Sequence, residues 1–364
     1  MLVKAAVIRE KGVPFKFEEV EIRQPKGTEV LVKIAGCGVC HTDEVARMQQ
    51  IPVPLPAVLG HEGSGIVEAV GENVSDLKPG DHVVLTFGSC GECEFCLSGK
   101  PFTCNVMNEI NFGGVMKNGS QPLSKDNVAI SSFFEQSSFA TYAIADSSNA
   151  VKVDKDVDLA LLGPLGCGIQ TGAGTVLNCL KPEFGATIVV FGCGGVGLSA
   201  IMAAKIIGCS KIIAVDIKDE KLNLALELGA THAINSMEYE DVAGEIKAIT
   251  GGGANYAVET TGNGSVINTS LYCLKCMGTS AIVGVTGEVT IDIHNALMAE
   301  GKKMIGVIEG HSNPKLFIPK LVEYYKAGLF PFDRLIEFYN FEEINEAFEI
   351  SKKGTVVKPV LKML

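Results

Sequence analysis

The sequence predicts an α/β protein built from a β-rich domain and a doubly wound parallel sheet, and two stretches of chain predict it. From Leu2 to about Cys167 the residues are rich in Gly, Pro and short Val/Ile runs such as VLVKIAG and GHEGSGIVEAVG, punctuated by turn signals such as KPGD. This is the pattern of a barrel-like β domain. From about Gln170, apolar strands alternate with helical segments: TIVVFG, VGLSAIMAAKIIG, KIIAVD, EKLNLALELG, YAVETTG and SAIVGV. Such alternation implies parallel strands joined by crossover helices. Beyond about Glu309, IPKLVEYYKAG and FEEINEAFEISKKG read as helices and VVKPVLKM as a last strand, expected to return to the first domain. The expected division is 1–169 with 309–364 for the first domain and 170–308 for the second.

Composition narrows the function. A chain of 364 residues, 47% hydrophobic, is long enough for two buried cores. Its net charge of −11 argues against nucleic acid or any other polyanion as a partner. The opening MLVKAAVIREKG places Lys4, Arg9 and Glu10 where a secretory leader needs an apolar segment, and the 12 cysteines suit a reducing compartment. A cytoplasmic location is expected. The apolar stretch from Ala186 to Cys209 is interrupted by Gly192, Gly194, Gly195, Gly197, Gly208 and Lys205. A strand, a glycine turn and a core helix explain it better than a membrane span.

Four cysteines, Cys90, Cys93, Cys96 and Cys104 in CGECEFCLSGKPFTC, form the most specific local pattern. Two-residue gaps let successive thiolates converge on one tetrahedral ion, which reads as a closed structural zinc site in a lobe spanning 88–106. A redox pair needs only two cysteines, a disulfide framework belongs in small secreted domains, and a ferredoxin run ends Cys-x-x-x-Cys-Pro, whereas Asn105 follows here.

Gly192, Gly194 and Gly197 give Gly-x-Gly-x-x-Gly, with Gly195 and Val196 inside it, after an apolar strand and at the start of a helix. That context turns a weak motif into a dinucleotide fingerprint: a tight turn, close approach to a pyrophosphate, and a helix N-terminus facing the anion. The next strand, KIIAVD, ends at Asp216, whose carboxylate suits ribose hydroxyls and repels a 2′-phosphate, so NAD is expected over NADP. Lys221, five residues later, is within reach of the same ribose, although a lysine in a helix's first turns is more often only solvated.

Cys40, His61 and Cys167 sit on separate glycine-flanked turns, GVCHTDE, GHEGSG and LGCGIQTG, which spacing alone does not join. Taken singly, each reads more readily as a buried cysteine or core histidine than as a ligand. However, Gly60-His61-Glu62-x-x-Gly65 with Gly71 and Val74 resembles the zinc signature of the medium-chain alcohol dehydrogenases. With the four-cysteine lobe and the Rossmann glycines, the resemblance covers nearly the whole chain. It implies a GroES-like catalytic domain and a Rossmann domain, with two zinc ions per subunit, one catalytic on Cys40, His61 and Cys167 and one structural. It implies that Asp43 orients His61, that Glu62 lies behind the metal, and that Thr42 receives the alcohol proton. It also implies that His41 and Lys358 contact the cofactor pyrophosphate, with Thr171 and Val285 beside the cofactor. A zinc held by two thiolates and a neutral imidazole lowers an alcohol's pKa yet leaves its oxygen electron-rich enough to expel a hydride to nicotinamide. The family histidine three residues after Thr42 is replaced by Val45, leaving His41 or ordered water for the outer proton relay.

The segment FFEQSSFATYAI and the run GCGIQTGAG resemble the aryl-alcohol branch of the family. Phe133 and Phe134, with Val285 and Ile308, are then expected to wall a pocket for a benzylic or allylic alcohol, although the two phenylalanines also suit an ordinary core. Glutathione-dependent formaldehyde dehydrogenases carry arginine where this chain has Asn108, and polyol dehydrogenases often carry glutamate where it has Cys167. A non-catalytic dinucleotide-binding relative is the remaining alternative, but such relatives usually lose ligands. The family assembles as dimers or tetramers, and a homodimer is expected.

Overall fold

The computed structural model describes Met1–Met363. The chain divides into two compact units. The first comprises Met1–Gly168, Asn313–Glu323 and the segment from Asp333 onward; the second comprises Ile169–Ser312 and Tyr324–Phe332.

The first unit is built on two sheets. One takes the order Ala57–Val58, Leu2–Ile8, Lys16–Ile22, Leu123–Lys125, Val128–Ile130. The other takes the order Ala150–Val153, His82–Leu85, Gly63–Val70, Glu29–Gly38, Lys358–Lys362, Ile336–Asn340, with Tyr142–Asp146 also pairing Glu29–Gly38. Glu29–Gly38 is central and buried along nearly all its length. Its period-two alternation sends Val30, Val32 and Ile34 into a core with Val67, Val83 and Leu85, while Leu31 and Cys37 enter a second core with Phe133, Phe134 and Phe139. The C-terminal strand Lys358–Lys362 lies antiparallel to Glu29–Gly38, pairing Val360 with Gly38, and Gly63–Val70 flanks its other side with Gly63 opposite Cys37. That register sets Lys358 beside the segment carrying Glu62.

The second unit is a six-stranded parallel sheet. Numbered along the chain as Thr187–Phe191, Lys211–Asp216, His232–Asn235, Ala254–Glu259, Leu274–Ile282 and Lys303–Gly306, the strands lie in the spatial order 3-2-1-4-5-6. Order reverses between the first and fourth strands, where open α/β sheets bind ligands beyond the strand C-termini. Val189, Phe191, Ile213, Val215 and Ala257 fill its core, as expected for strands covered on both faces. In SLYCLKCMG the spacing of Cys273 and Cys276 suits one turn of helix, but the helix Gly264–Tyr272 stops with Cys273 as its cap, and Cys276 lies exposed on the strand Leu274–Ile282. Pairing with Ala254–Glu259 outweighs the local helical pattern there. Among the described residues, no helix is long and apolar enough to cross a membrane.

Candidate active site and metal centres

Three turns of the first unit meet around His61. Cys40 caps the helix His41–Arg47, His61 follows the short strand Ala57–Val58, and Cys167 ends the 3-10 turn Gly163–Gly166. Gly60 sets the His61 turn with φ of 91°, and a Cβ there would lie 2.4 Å from the Phe139 nitrogen, so no other residue fits. Ligand atoms of Cys40, His61, Glu62 and Cys167 all lie within 4.8 Å of one another.

Asp43 organises this cluster. Its Oδ1 lies 2.9 Å from His61 Nδ1 and accepts the Gly60 N–H at 3.0 Å, while Oδ2 accepts the Cys40 N–H at 3.3 Å. With Nδ1–H given to the carboxylate, His61 Nε2 is left buried with no hydrogen-bond partner. An orphaned lone pair in a dry site beside two thiols fits a soft divalent metal, and the carboxylate–imidazole pair is the usual support of such a ligand. The Cys167 thiol, acting against the cost of burial, holds Cys40 well below the ordinary thiol range, as a thiolate ligand requires. Thr42 Oγ1 lies 3.8 Å from Cys40 Sγ, His41 is exposed, and Val45 is buried.

Behind the cluster, Lys358 Nζ donates to both Glu62 oxygens at 2.9 Å and to the Val39 carbonyl at 3.2 Å. Burial pushes the Glu62 carboxyl up to about 7 against the pull of that ammonium; at Lys358 burial acts against the charge, but Glu62, Cys40 and Cys167 together outweigh it and keep the ammonium charged. Lys358 was expected at the cofactor pyrophosphate. Its ammonium is buried, with its three protons given to Glu62 and Val39, and it neutralises Glu62.

Aromatic rings cover the other side of the imidazole. Phe134 stacks on His61 with centroids 4.5 Å apart at 26°, and Phe133 meets it edge-on at 5.6 Å. Phe112 in turn meets Phe134 edge-on at 5.3 Å. Phe133 is fully buried and Phe134 is 4% exposed. Phe112 also lines a cleft of about 520 Å³ with Ile51, Pro52 and Glu109. Val285 and Ile308, expected as further walls, belong to the second unit and are exposed.

The four cysteines of the lobe also converge, with their sulfurs within 4.8 Å of one another and Cys90 Sγ 3.9 Å from Cys96 Sγ. The Cys90 and Cys93 N–H groups donate to Cys104 Sγ and Cys90 Sγ at 3.3 Å, which favours thiolates and fits a closed metal site. All 12 cysteines are free of disulfides.

In the second unit, a cavity of about 470 Å³ opens where strand order reverses, lined by Gly192, Gly194, Gly195, Val196, Asp216 and Lys221 among others. Gly197 must be glycine: a Cβ there would lie 1.8 Å from the Gly192 carbonyl oxygen, which locks helix Gly195–Ile207 against the turn. At Gly194 a Cβ would meet nothing within 4 Å, leaving the helix N-terminus open to an anion. Asp216 accepts the N–H groups of Cys193 at 2.7 Å, Ile217 at 2.8 Å and Lys218 at 3.0 Å, which fixes its carboxylate at the cavity wall. These residues fit a dinucleotide. Thr171, half-buried, donates to Glu309 at 3.3 Å within the same unit.

Comparison with known proteins gives a consistent answer. The family profile described as alcohol dehydrogenase GroES-like domain matches residues 26–155, and that described as zinc-binding dehydrogenase matches residues 195–323. A geraniol dehydrogenase from Castellaniella defragrans is 48% identical over 98% of this chain and 97% of its own. The chain belongs to the zinc-binding alcohol dehydrogenase family. Among solved structures, the benzyl alcohol dehydrogenase of Acinetobacter calcoaceticus is 49% identical with a TM-score of 0.96, covering 100% of both chains. An alcohol dehydrogenase zinc-binding domain protein from Burkholderia ambifaria is 50% identical with a TM-score of 0.97, covering 100% of this chain and 99% of its own.

Several residues of this dehydrogenase's sites escape sequence reasoning. Thr260, Thr261 and Asn263 line the dinucleotide cavity; the run TTGNG after a predicted strand is the signal that points to them. Gln136 donates to the His61 carbonyl at 3.0 Å, and Phe112 packs against Phe134, but neither carries a motif.

Proposed function

We propose that this dehydrogenase oxidises a primary aromatic or allylic alcohol, of the kind of benzyl alcohol or geraniol, to the aldehyde with hydride transfer to NAD, and that each subunit carries two zinc ions. The observation that carries this reading is the buried, unpartnered Nε2 of His61, set among two thiols and covered by Phe134. Bound there, zinc would supply a Lewis acid that lowers the alcohol's pKa. Asp43 holds the imidazole tautomer that leaves Nε2 free, and Lys358 keeps Glu62 neutralised behind the thiols. The Thr42 hydroxyl takes up the alcohol proton as it passes its own on toward solvent, so it relays the proton and does not keep it. Exposed His41 is the next titratable group toward solvent, because Val45 cannot relay. The alcohol gives up a hydride and a proton, so the products are aldehyde, NADH and H⁺. The reaction is reversible. The proposed working form is a cytoplasmic homodimer with no nucleic-acid or membrane partner; its second-unit sheet ends in the edge strand Lys303–Gly306, which exposes Met304.

Asp216 supports NAD over NADP. Wild-type enzyme is expected to prefer NAD widely, and Asp216→Ala to weaken NAD binding while narrowing the gap to NADP, since it removes a ribose acceptor and a repulsion together. Initial rates with both cofactors check this. Equal efficiency in the wild type overturns it.

The aromatic rings and the names of the relatives support the substrate class. Initial rates with NAD across ethanol, benzyl alcohol, cinnamyl alcohol, geraniol and S-hydroxymethylglutathione test it. Ethanol or the glutathione adduct outrunning the aromatic and allylic alcohols overturns it. Phe112, which faces both the cleft and Phe134, is a cleaner probe than the buried Phe133. Phe112→Ala is expected to lower kcat/KM for benzyl alcohol about ten- to two-hundredfold, with a smaller loss for ethanol. A fall in melting temperature with an unchanged substrate ratio would mark Phe112 as core only.

A further inference from the structure

We propose that Glu135, in its neutral form, is a positioning residue: it holds the turn Phe133–Ser137 in the conformation that keeps Phe134 on His61, and its ionisation loosens that turn. The kinetic part rests on His61 as a metal ligand in the function proposed above; the stability part does not.

The turn is strained and tied to the site. Phe134, Glu135 and Ser137 have φ of 53°, 49° and 53°, three non-glycine residues in the left-handed region within five positions. Such backbone persists only where its surroundings over-determine it. Phe134 N–H donates to the Asn111 carbonyl at 2.8 Å, Phe133 N–H to Ser137 Oγ at 3.0 Å, and Ser137 Oγ to the Val58 carbonyl at 2.8 Å. Gln136 Nε2 reaches the carbonyls of His61 at 3.0 Å and Thr86 at 3.1 Å. Asn149 Nδ2 reaches those of Thr86, Phe134 and Glu135 at 3.2, 3.3 and 3.5 Å. A shift of this turn therefore moves both the ring stacked on the imidazole and a bond to the His61 backbone.

At its centre Glu135 is fully buried. Oε1 accepts the Lys117 backbone N–H, but Oε2 has no partner, and neither does the buried Asn149 Oδ1 of the same small network. The charged groups facing Glu135 are Asp146, Glu29 and Lys117. Both acids are themselves buried, and the nearby cations are engaged with them: Lys117 Nζ lies 2.7 Å from Asp146 and Arg23 NH1 2.5 Å from Glu29. A carboxylate at Glu135 is left with one backbone donor, two like charges and only the partial compensation of a Lys117 ammonium already paired with Asp146. A proton on Oε2 removes the charge and turns one of the two partnerless acceptors of this network into a donor. Burial first, then the acids, push the carboxyl up to about 7, so the neutral and ionised forms exchange near physiological pH.

The sign follows from linkage. The unfolded chain loses this proton near the ordinary value of 4.5 and the folded chain near 7. The contribution of Glu135 to stability is therefore full below 4.5, falls as pH rises to about 7, and stays lost above it.

The test compares wild-type holoenzyme with Glu135→Gln, which keeps the shape and a donor but cannot ionise. Relative to the variant, the wild-type melting temperature is expected to fall by about 5–10 °C between pH 5 and 9. The ratio of kcat/KM for benzyl alcohol, variant over wild type, is expected to rise about tenfold from pH 6 to 9, as the acid goes from mostly neutral to almost wholly ionised. Lys117→Met, at a partly exposed side chain, removes the compensating ammonium and is expected to move the wild-type transition to higher pH. A constant melting-temperature difference across pH overturns the proposal, and a melting-temperature effect with a flat kinetic ratio overturns the positioning role. If Glu135→Gln does not fold, an unmoved transition in Lys117→Met overturns it instead. An enzyme without alcohol turnover but with the expected melting behaviour overturns the proposed function and leaves the neutral Glu135 standing.

Discussion

The Cys40→Ser enzyme is expected to lose turnover of benzyl alcohol by about a thousandfold or more while binding NADH almost normally. The loss follows from the donor set: Cys40 and Cys167 supply two sulfurs to the cluster around His61 Nε2, and a serine hydroxyl does not ionise to replace a thiolate at neutral pH. A catalytic metal contributes several kcal/mol of transition-state stabilisation, and about 4 kcal/mol corresponds to a thousandfold. Cofactor binding is spared because the dinucleotide cavity is lined by residues from Phe191 to Thr269, all in the second unit. Metal analysis should find about two zinc ions per wild-type subunit and about one in the variant. Steady-state kinetics with a fluorescence titration of NADH separate the two effects. Near-normal turnover in Cys40→Ser removes Cys40 from the reaction.

What was legible in the sequence depends on whether the chemistry leaves a local pattern. The α/β class was legible because strand and helix periodicities alternate from TIVVFG onward, and the glycine fingerprint was legible because each glycine answers a steric demand, as Gly197 against the Gly192 carbonyl shows. The four-cysteine cluster was legible because its sulfurs come from one short loop. Cys40, His61 and Cys167 converge from three turns, and only a resemblance joined them before the fold did. Phe112, Gln136 and Glu135 lie beyond either signal, since their roles come from tertiary packing around His61. At Lys358 the resemblance named a residue near the site, and what the sequence does not carry is the burial of its ammonium against Glu62, which depends on how Lys358–Lys362 pairs with Glu29–Gly38. Cys276 shows the limit of local propensity, where a helical spacing gave way to a parallel strand.

Cys93→Ser is expected to unfold the lobe spanning 88–106 and leave the rest of the first unit folded. No residue from Ser89 to Thr103 is buried, and the segment holds only the four-residue helix Glu94–Leu97 and the turn Pro101–Thr103. With no apolar core of its own, the lobe depends on whatever joins its four sulfurs, and a structural zinc contributes on the order of 10 kcal/mol to such folding. Losing one of four thiolates leaves three sulfurs and a weak hydroxyl. The remaining cysteines, no longer ligands, become exposed reactive thiols. Limited proteolysis should then cut within 88–106 in the variant and spare the wild type, with one zinc lost per subunit. Cys40→Ser supplies the control, because it is expected to lose one zinc as well without exposing the lobe. Metal content alone does not tell the two centres apart, whereas the position of the cut does. A Cys93→Ser protein that keeps two zinc ions and resists cleavage in the lobe shows that the lobe does not depend on Cys93 as a metal ligand.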